Sequence, residues 1–159
     1  MKGSPALRAI GLATLVAGCL DISSAFVIFI LKGIGITRGL QGIAVALLGR
    51  PTAFAGGGKT ALFGLCLHFF VMLCVVTVFY TASRIFPLLG RRPLLSGIVY
   101  GPIVYLVMYW VVVPLSRIGP RPHSFSNDTT AILIHIFLIG LPIALIISRL
   151  SPSTKEPVT

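Results

Sequence analysis

The chain has 159 residues, of which 56% are hydrophobic and only 10% charged, with a mean hydropathy of +1.02. That balance excludes an ordinary soluble domain and places the chain among polytopic all-α membrane proteins. The net charge of +10 comes from 13 Lys and Arg against 3 acids. The bases sit mainly at the ends of apolar runs, where they meet anionic lipid headgroups, and no soluble stretch is long enough to build a nucleic-acid surface.

The first predicted element is a spanning helix over 9–31, uncharged between Arg8 and Lys32 except for Asp21. About 20 apolar residues at roughly 1.5 Å rise each cross a hydrocarbon layer of about 30 Å. Val16-Ala17-Gly18-Cys19 resembles a lipobox, with Lys2 and Arg8 as a basic leader. The run stays apolar for about 10 residues beyond that point, however, as a permanent helix does and a cleaved signal does not. Cys19, Cys66 and Cys74 all fall inside apolar runs without CxxC spacing and read as small core or lipid-facing residues.

The connection from Lys32 to Lys59 contains an apolar stretch over 40–48, too short to span and bounded by Gly39 and Gly49, with Pro51 marking its end. It reads as a short interfacial or re-entrant helix. Gly56-Gly57-Gly58-Lys59-Thr60 invites comparison with a phosphate-binding loop, but Ala53 stands where the first glycine is required, and no strand precedes it. The glycines read as a hinge before a second spanning helix over 60–83, which carries His68 and ends on Tyr80 and Arg84.

A basic connection from Arg84 to Arg92 follows, and Pro93 suits the first turn of a third helix over 93–116. That helix contains Gly97, Gly101, Tyr105, Tyr109 and Trp110, with Pro102 and Pro114 as potential kinks. The loop Arg117 to Asp128 is polar, with His123 inside it and Asn127 or Asp128 available to cap a fourth helix over 129–148. His135 lies in that helix with Pro142 as a further potential kink, Arg149 closes it, and 150–159 reads as a disordered tail. The predicted architecture is one integral membrane four-helix bundle over 1–159, with both termini on one side. Lys and Arg divide 7 to 6 between the two sides, a margin that does not orient the bundle by the positive-inside rule.

Depth along the helices brings the intramembrane polar residues to one level. Measured from the side carrying the 32–59 and 117–128 loops, Asp21 lies about 16 Å deep, His68 about 13 Å and His135 about 10 Å. Tyr109 and Tyr105 lie about 12 and 18 Å deep by the same count. Asp21 shares its helix face with Thr14, Ala17, Gly18, Ser24 and Ala25, all small, while Leu15, Ile22, Phe26 and Phe29 make the opposite side bulky. Small residues let helix backbones approach, so the Asp21 face is expected to point inward. Gly97, Gly101 and Tyr105, spaced four apart, predict a second close-packed face.

An Asp–His pair with tyrosines can relay protons. Asp21, His68 and His135 could also ligate a metal, and two histidines from separate helices could hold haem, but no local ligand spacing supports either, and no metal or cofactor is expected. The plainer alternative is that the layer fastens helices. A central Asp costs about 2.5–3.5 kcal/mol to insert, whereas an interhelical hydrogen bond returns only about 0.6 kcal/mol. Ser23, Ser24 and Ser96 lack a paired base, so no hydrolase constellation is present and an enzyme is not expected. Tyr80, Arg84, Tyr100 and Trp110 read as anchors at the membrane interface.

Gly18-Cys19-Leu20-Asp21-Ile22, Leu67-His68-Phe69-Phe70, Tyr100-Gly101-Pro102 and the early His135 are together similar to segments of small uncharacterised bacterial four-helix inner-membrane proteins. The resemblance implies a bacterial inner-membrane location and brings no activity or catalytic residue. The expected role is therefore structural or interaction-based, with the lipid bilayer and a second copy of the chain as partners. The alternatives are a proton-coupled small-solute transporter or channel subunit, and a haem-binding electron-transfer protein.

Overall fold

The computed structural model describes residues 4–122 and 124–150, all helix and connection without a strand. Lys2, His123 and, of the tail expected to be disordered over 150–159, residues 151–159 lie outside the described residues, whereas Leu150 belongs to the last helix. Four helices are long and apolar enough to cross a membrane: α1 (Pro5–Leu31), α4 (Gly57–Ile85), α6 (Pro93–Leu115) and α7 (Phe125–Leu150). Between them run the shorter α2 (Ile36–Leu48), α3 (Arg50–Ala55) and α5 (Pro87–Arg91). The protein is thus an all-α, multi-pass membrane protein with a short helix between its first two spans. Its outer surface is correspondingly apolar, with Leu7, Leu15, Leu62, Phe70, Val78 and Trp110 all more than half exposed, which suits contact with lipid.

The spans form a ring in which α1 packs between α4 and α7, and α7 packs between α1 and α6. Tyr100 of α6 closes the ring against α4, donating its hydroxyl to the Val75 carbonyl at 2.7 Å and packing on the Phe79 ring. It therefore fastens helices inside the bundle and is not the interface anchor its sequence position implied. Arg84 does stack over the Tyr80 ring, at 4.9 Å, at the end of α4.

The α6–α7 contact is made backbone to backbone. A Cβ on Gly97 would meet the Leu141 Cα at 2.7 Å, and one on Gly101 would meet the His135 carbonyl oxygen at 2.6 Å. A Cβ on Gly140 would collide with the Gly97 carbonyl. The glycine face predicted on the third span is therefore what allows this approach, and Gly140 completes it from the other helix.

The face of α1 that carries Ala9, Ala13, Ala17 and Gly18 is buried, as the small-residue argument requires. Its other side is only partly lipid-facing. Leu15 is exposed, but Ile22 is buried with Leu40 and Ala61, Phe26 packs beside them, and the Phe29 ring lies over Gly39. The reason is α2, which folds back after two glycines of positive φ, Gly33 and Gly35, and covers that flank of the bundle. Its residues Gly39, Leu40, Gln41, Ala44 and Val45 are buried, and Gly64 of α4 lies against the Leu40 backbone. Gly49, at φ +77°, then turns the chain into α3, which the sequence pattern did not reveal.

The three-glycine segment forms a pinned joint between α3 and α4. Thr60 donates to the Ala53 carbonyl at 2.6 Å, and Gln41 donates to the Gly57 carbonyl at 3.0 Å. α4 accordingly begins at Gly57, three residues before the expected start. α7 begins earlier too: Ser124 stands at its N-cap position, so Asp128 lies within the first turn and does not cap the helix. A carboxylate there is favoured by the positive end of the helix dipole.

Both α6 and α7 widen from α- to π-helical geometry, over Met108–Val112 and His135–Gly140. The amides of Val113 and Leu141 reach back five residues, to Met108 and Ile136. Each segment is followed by a proline, Pro114 or Pro142, which lacks an amide hydrogen and crowds the carbonyl four residues earlier. Those carbonyls belong to Trp110 and Leu138, both inside the widened turns, so the disturbance expected at these prolines takes the form of π-helix.

Candidate functional site

Asp21, His68 and His135 converge. With Val71, Met72, Val75, Val104, Met108 and Ile139 they line a cavity of about 80 Å³ to which all four spans contribute. The Asp21 Oδ2 lies 4.0 Å from the His68 Nδ1, and both side chains are largely buried. This is too long for a direct hydrogen bond. At about 30 Å³ per water the cavity has room for a bridging molecule between the two.

The hydrogen bonds of the imidazoles fix their tautomers. His68 donates from Nε2 to the Gly18 carbonyl at 3.1 Å, because a carbonyl oxygen can only accept. His135 donates from Nδ1 to the Ala131 carbonyl at 2.8 Å, within its own helix. In their neutral forms both rings therefore keep one nitrogen that bears no proton, and in His68 that nitrogen faces the Asp21 carboxyl. A single water between them can donate one hydrogen to each.

Asp21 itself makes no side-chain hydrogen bond among the described residues. The Ser24 hydroxyl donates to its backbone carbonyl at 2.7 Å. What joins α1 to α4 at this level is the His68–Gly18 bond, made possible because Gly18 has no side chain and the Phe69 ring lies where one would be. The carboxylate is held at the joint without being the fastener.

The two tyrosines have a different place from the one their depth implied. Tyr105 is buried and its ring meets the His135 ring edge-on at 5.5 Å between centroids, but its hydroxyl turns away and donates to Asp128 Oδ1 at 2.9 Å. Tyr109 stacks on Tyr105 and directs its hydroxyl to the carbonyls of Arg121 and Pro122 at 3.1 and 2.8 Å. Neither lines the cavity. They clasp the α6–α7 loop instead, because counting residues along a helix gives height and not direction.

Among the described residues no three His, Cys, Asp or Glu side chains are grouped closely enough to hold a metal ion. A cavity of about 80 Å³ is also far below the roughly 300–1,000 Å³ of a typical small-molecule pocket, so no porphyrin fits between the histidines. A larger groove of about 670 Å³ runs along the outer face of α4, past Leu73, Thr77, Val78 and Phe86, and carries no acid, histidine or lysine. Among the described residues the interior carboxyl and the two histidines of the spans are thus gathered at this cavity. No protein-family model, no curated protein and no solved structure matches this chain.

Proposed function

We propose that this is an integral protein of a bacterial inner membrane in which Asp21 binds and releases a proton, with His68 and His135 as its exchange partners, and that this step is coupled to movement of a small solute or of a partner subunit. The single observation that supports the reading is the convergence of three ionisable side chains from three spans on one small cavity, at a carboxyl that makes no side-chain hydrogen bond among the described residues. An ionisable residue inside a membrane marks a proton or ion pathway more often than a scaffold contact.

The step is simple to balance. The protonated Asp21 carboxyl gives its proton through a bridging water to Nδ1 of His68, leaving a carboxylate beside an imidazolium; the reverse transfer restores two neutral groups. Net charge in the cavity is unchanged, so the transfer avoids creating an isolated charge in a medium of low dielectric constant. His135, with its Nδ1 committed to Ala131, offers its second nitrogen as the alternative acceptor.

A purely structural role for the layer, the plainer expectation, is less well supported. The bonds that fasten the spans are those of His68 to Gly18 and Tyr100 to Val75, neither of which needs Asp21. In proteoliposomes under an imposed pH gradient, Asp21→Asn is expected to reduce coupled proton flux about 100-fold or more, in line with loss of a proton-transferring group. His68→Ala is expected to reduce it less, because His135 remains. Flux through Asp21→Asn equal to that of the parent protein would remove the proposal.

A further inference from the structure

The cavity lies between two unlike seals. Toward the termini, Ala9, Ala13 and Ala17 of α1, Val76 and Phe79 of α4, and Ile139, Ile143 and Ile147 of α7 are all between 0 and 2% exposed. From Ile139 to Ile147 that packed column is about 12 Å long at 1.5 Å per residue. The column itself is apolar, and of the polar side chains beside it Ser83 and Tyr100 spend their hydroxyls on backbone carbonyls, which leaves the Thr14 hydroxyl as the one buried group there without a partner among the described residues. Such a column offers water few partners.

Toward the loops α6 and α7 stay in backbone contact as far as Gly101 and His135, and beyond Tyr105 and His135 their described residues present no buried side chain to each other. Among the described residues no α6 position beyond Tyr105 and no α7 position before Ile139 is buried, and these are the stretches where both helices widen. A chain of polar groups leaves the cavity in this direction: His135, then the Tyr105 ring against it, then Asp128 and the loop carbonyls of Arg121 and Pro122.

We infer that Asp21 exchanges protons with one side of the membrane alone in this conformation, the side bearing the 117–122 loop, and that the Tyr105–Asp128 pair holds that entrance. The inference rests on the proton-binding reading of Asp21 and adds its direction. The groups facing Asp21 are His68 from α4 and His135 from α7; α6 presents Val104 and Met108 and brings Tyr105 only to the far side of His135. Because its hydroxyl points outward to Asp128, Tyr105 positions the entrance and does not carry the proton. One-sided access is what distinguishes a coupled or pH-responsive site from an open proton channel, which needs water on both sides at once.

The test is infrared detection of the Asp21 carboxyl in proteoliposomes, oriented by labelling an Arg121→Cys variant, while the pH is stepped on one face at a time. The band is assigned by its loss in Asp21→Asn. The expected result is a carboxyl signal that follows the pH of the loop face and ignores the terminal face, with Tyr105→Phe responding about tenfold faster, the factor carried by a hydrogen bond to a charged group. A signal that follows the terminal face, or both faces, overturns the one-sided access while leaving proton binding intact. A signal that follows neither, with difference spectra identical to those of Asp21→Asn, overturns the proton-binding reading and this inference with it. A Tyr105→Phe response slowed instead of accelerated makes Tyr105 a carrier and overturns its assignment as a clasp.

Discussion

The terminal and loop halves of the bundle are made from the same four helices and obey different packing rules. In the terminal half, Gly97 and Gly140 bring α6 and α7 into backbone contact, and alanines, isoleucines and Phe79 fill the space between the spans. In the loop half, α1 and α4 are covered by α2 and α3, whereas α6 and α7 widen and leave no buried residue beyond Tyr105 or before Ile139 among the described residues. The cavity with its carboxyl sits at the boundary. A membrane protein gains little from moving apolar side chains out of lipid, so tight packing is what holds its helices. Where the packing is relaxed, polar groups and water-sized space can be kept at modest cost.

The comparison is broken most severely at the glycine contact. Gly101→Val directs side-chain atoms into the His135 carbonyl and the Ile136 Cα, both backbone that cannot step aside. It is expected to cost about 3 kcal/mol or more, measured as loss of folded protein in a detergent unfolding titration. Gly42→Val, where a Cβ meets nothing within 4 Å, is expected to leave the same titration unchanged.

The next largest effect separates the two halves directly. Phe79→Ala empties a site that is 1% exposed and packed on Tyr100. About 2–3 kcal/mol of stability should be lost, since the cavity term remains even when lipid replaces water as the reference solvent. The equivalent truncation in the loop half, Leu133→Ala at a residue 49% exposed, is expected to stay within about 0.5 kcal/mol. Comparable losses at the two positions would abolish the distinction.

Smaller still are the changes at the site. His68→Ala removes the bond to the Gly18 carbonyl and is expected to cost about 0.6–1 kcal/mol. Asp21→Asn removes no hydrogen bond and should change stability by less than about 0.5 kcal/mol. A loss larger for Asp21→Asn than for His68→Ala would make the carboxyl the fastener and reverse the assignment drawn from the geometry.

The spans were legible because hydropathy accumulates over some 20 residues, and their observed limits differ from the sequence reading by no more than four residues at any end. The inward face of Asp21 was legible too, through the small residues one turn away, and so was the Gly97–Gly101 face. What escaped was direction and covering. Tyr105 and Tyr109 have the right height for the polar layer, but each hydroxyl is claimed by a partner in the α7 end or the loop, which no count along one helix can supply. Ile22 stands on the bulky side opposite Asp21, and its burial depends on α2 folding back over that flank, which nothing in the composition of α2 announces. Pro114 and Pro142 were visible as disturbances, but their outcome as π-helix depends on the partner helix.

The central claim is that water reaches the Asp21 cavity past the loop half and is stopped at the terminal half. In a background with Cys19, Cys66 and Cys74 replaced by Ala, single cysteines at Met108 and Ile143 report on the two regions through reaction with a membrane-impermeant thiol reagent applied to each face. The account predicts that Met108→Cys reacts from the face bearing the 117–122 loop and that Ile143→Cys reacts from neither; an inert Met108→Cys, or an Ile143→Cys that reacts from either face, would contradict it.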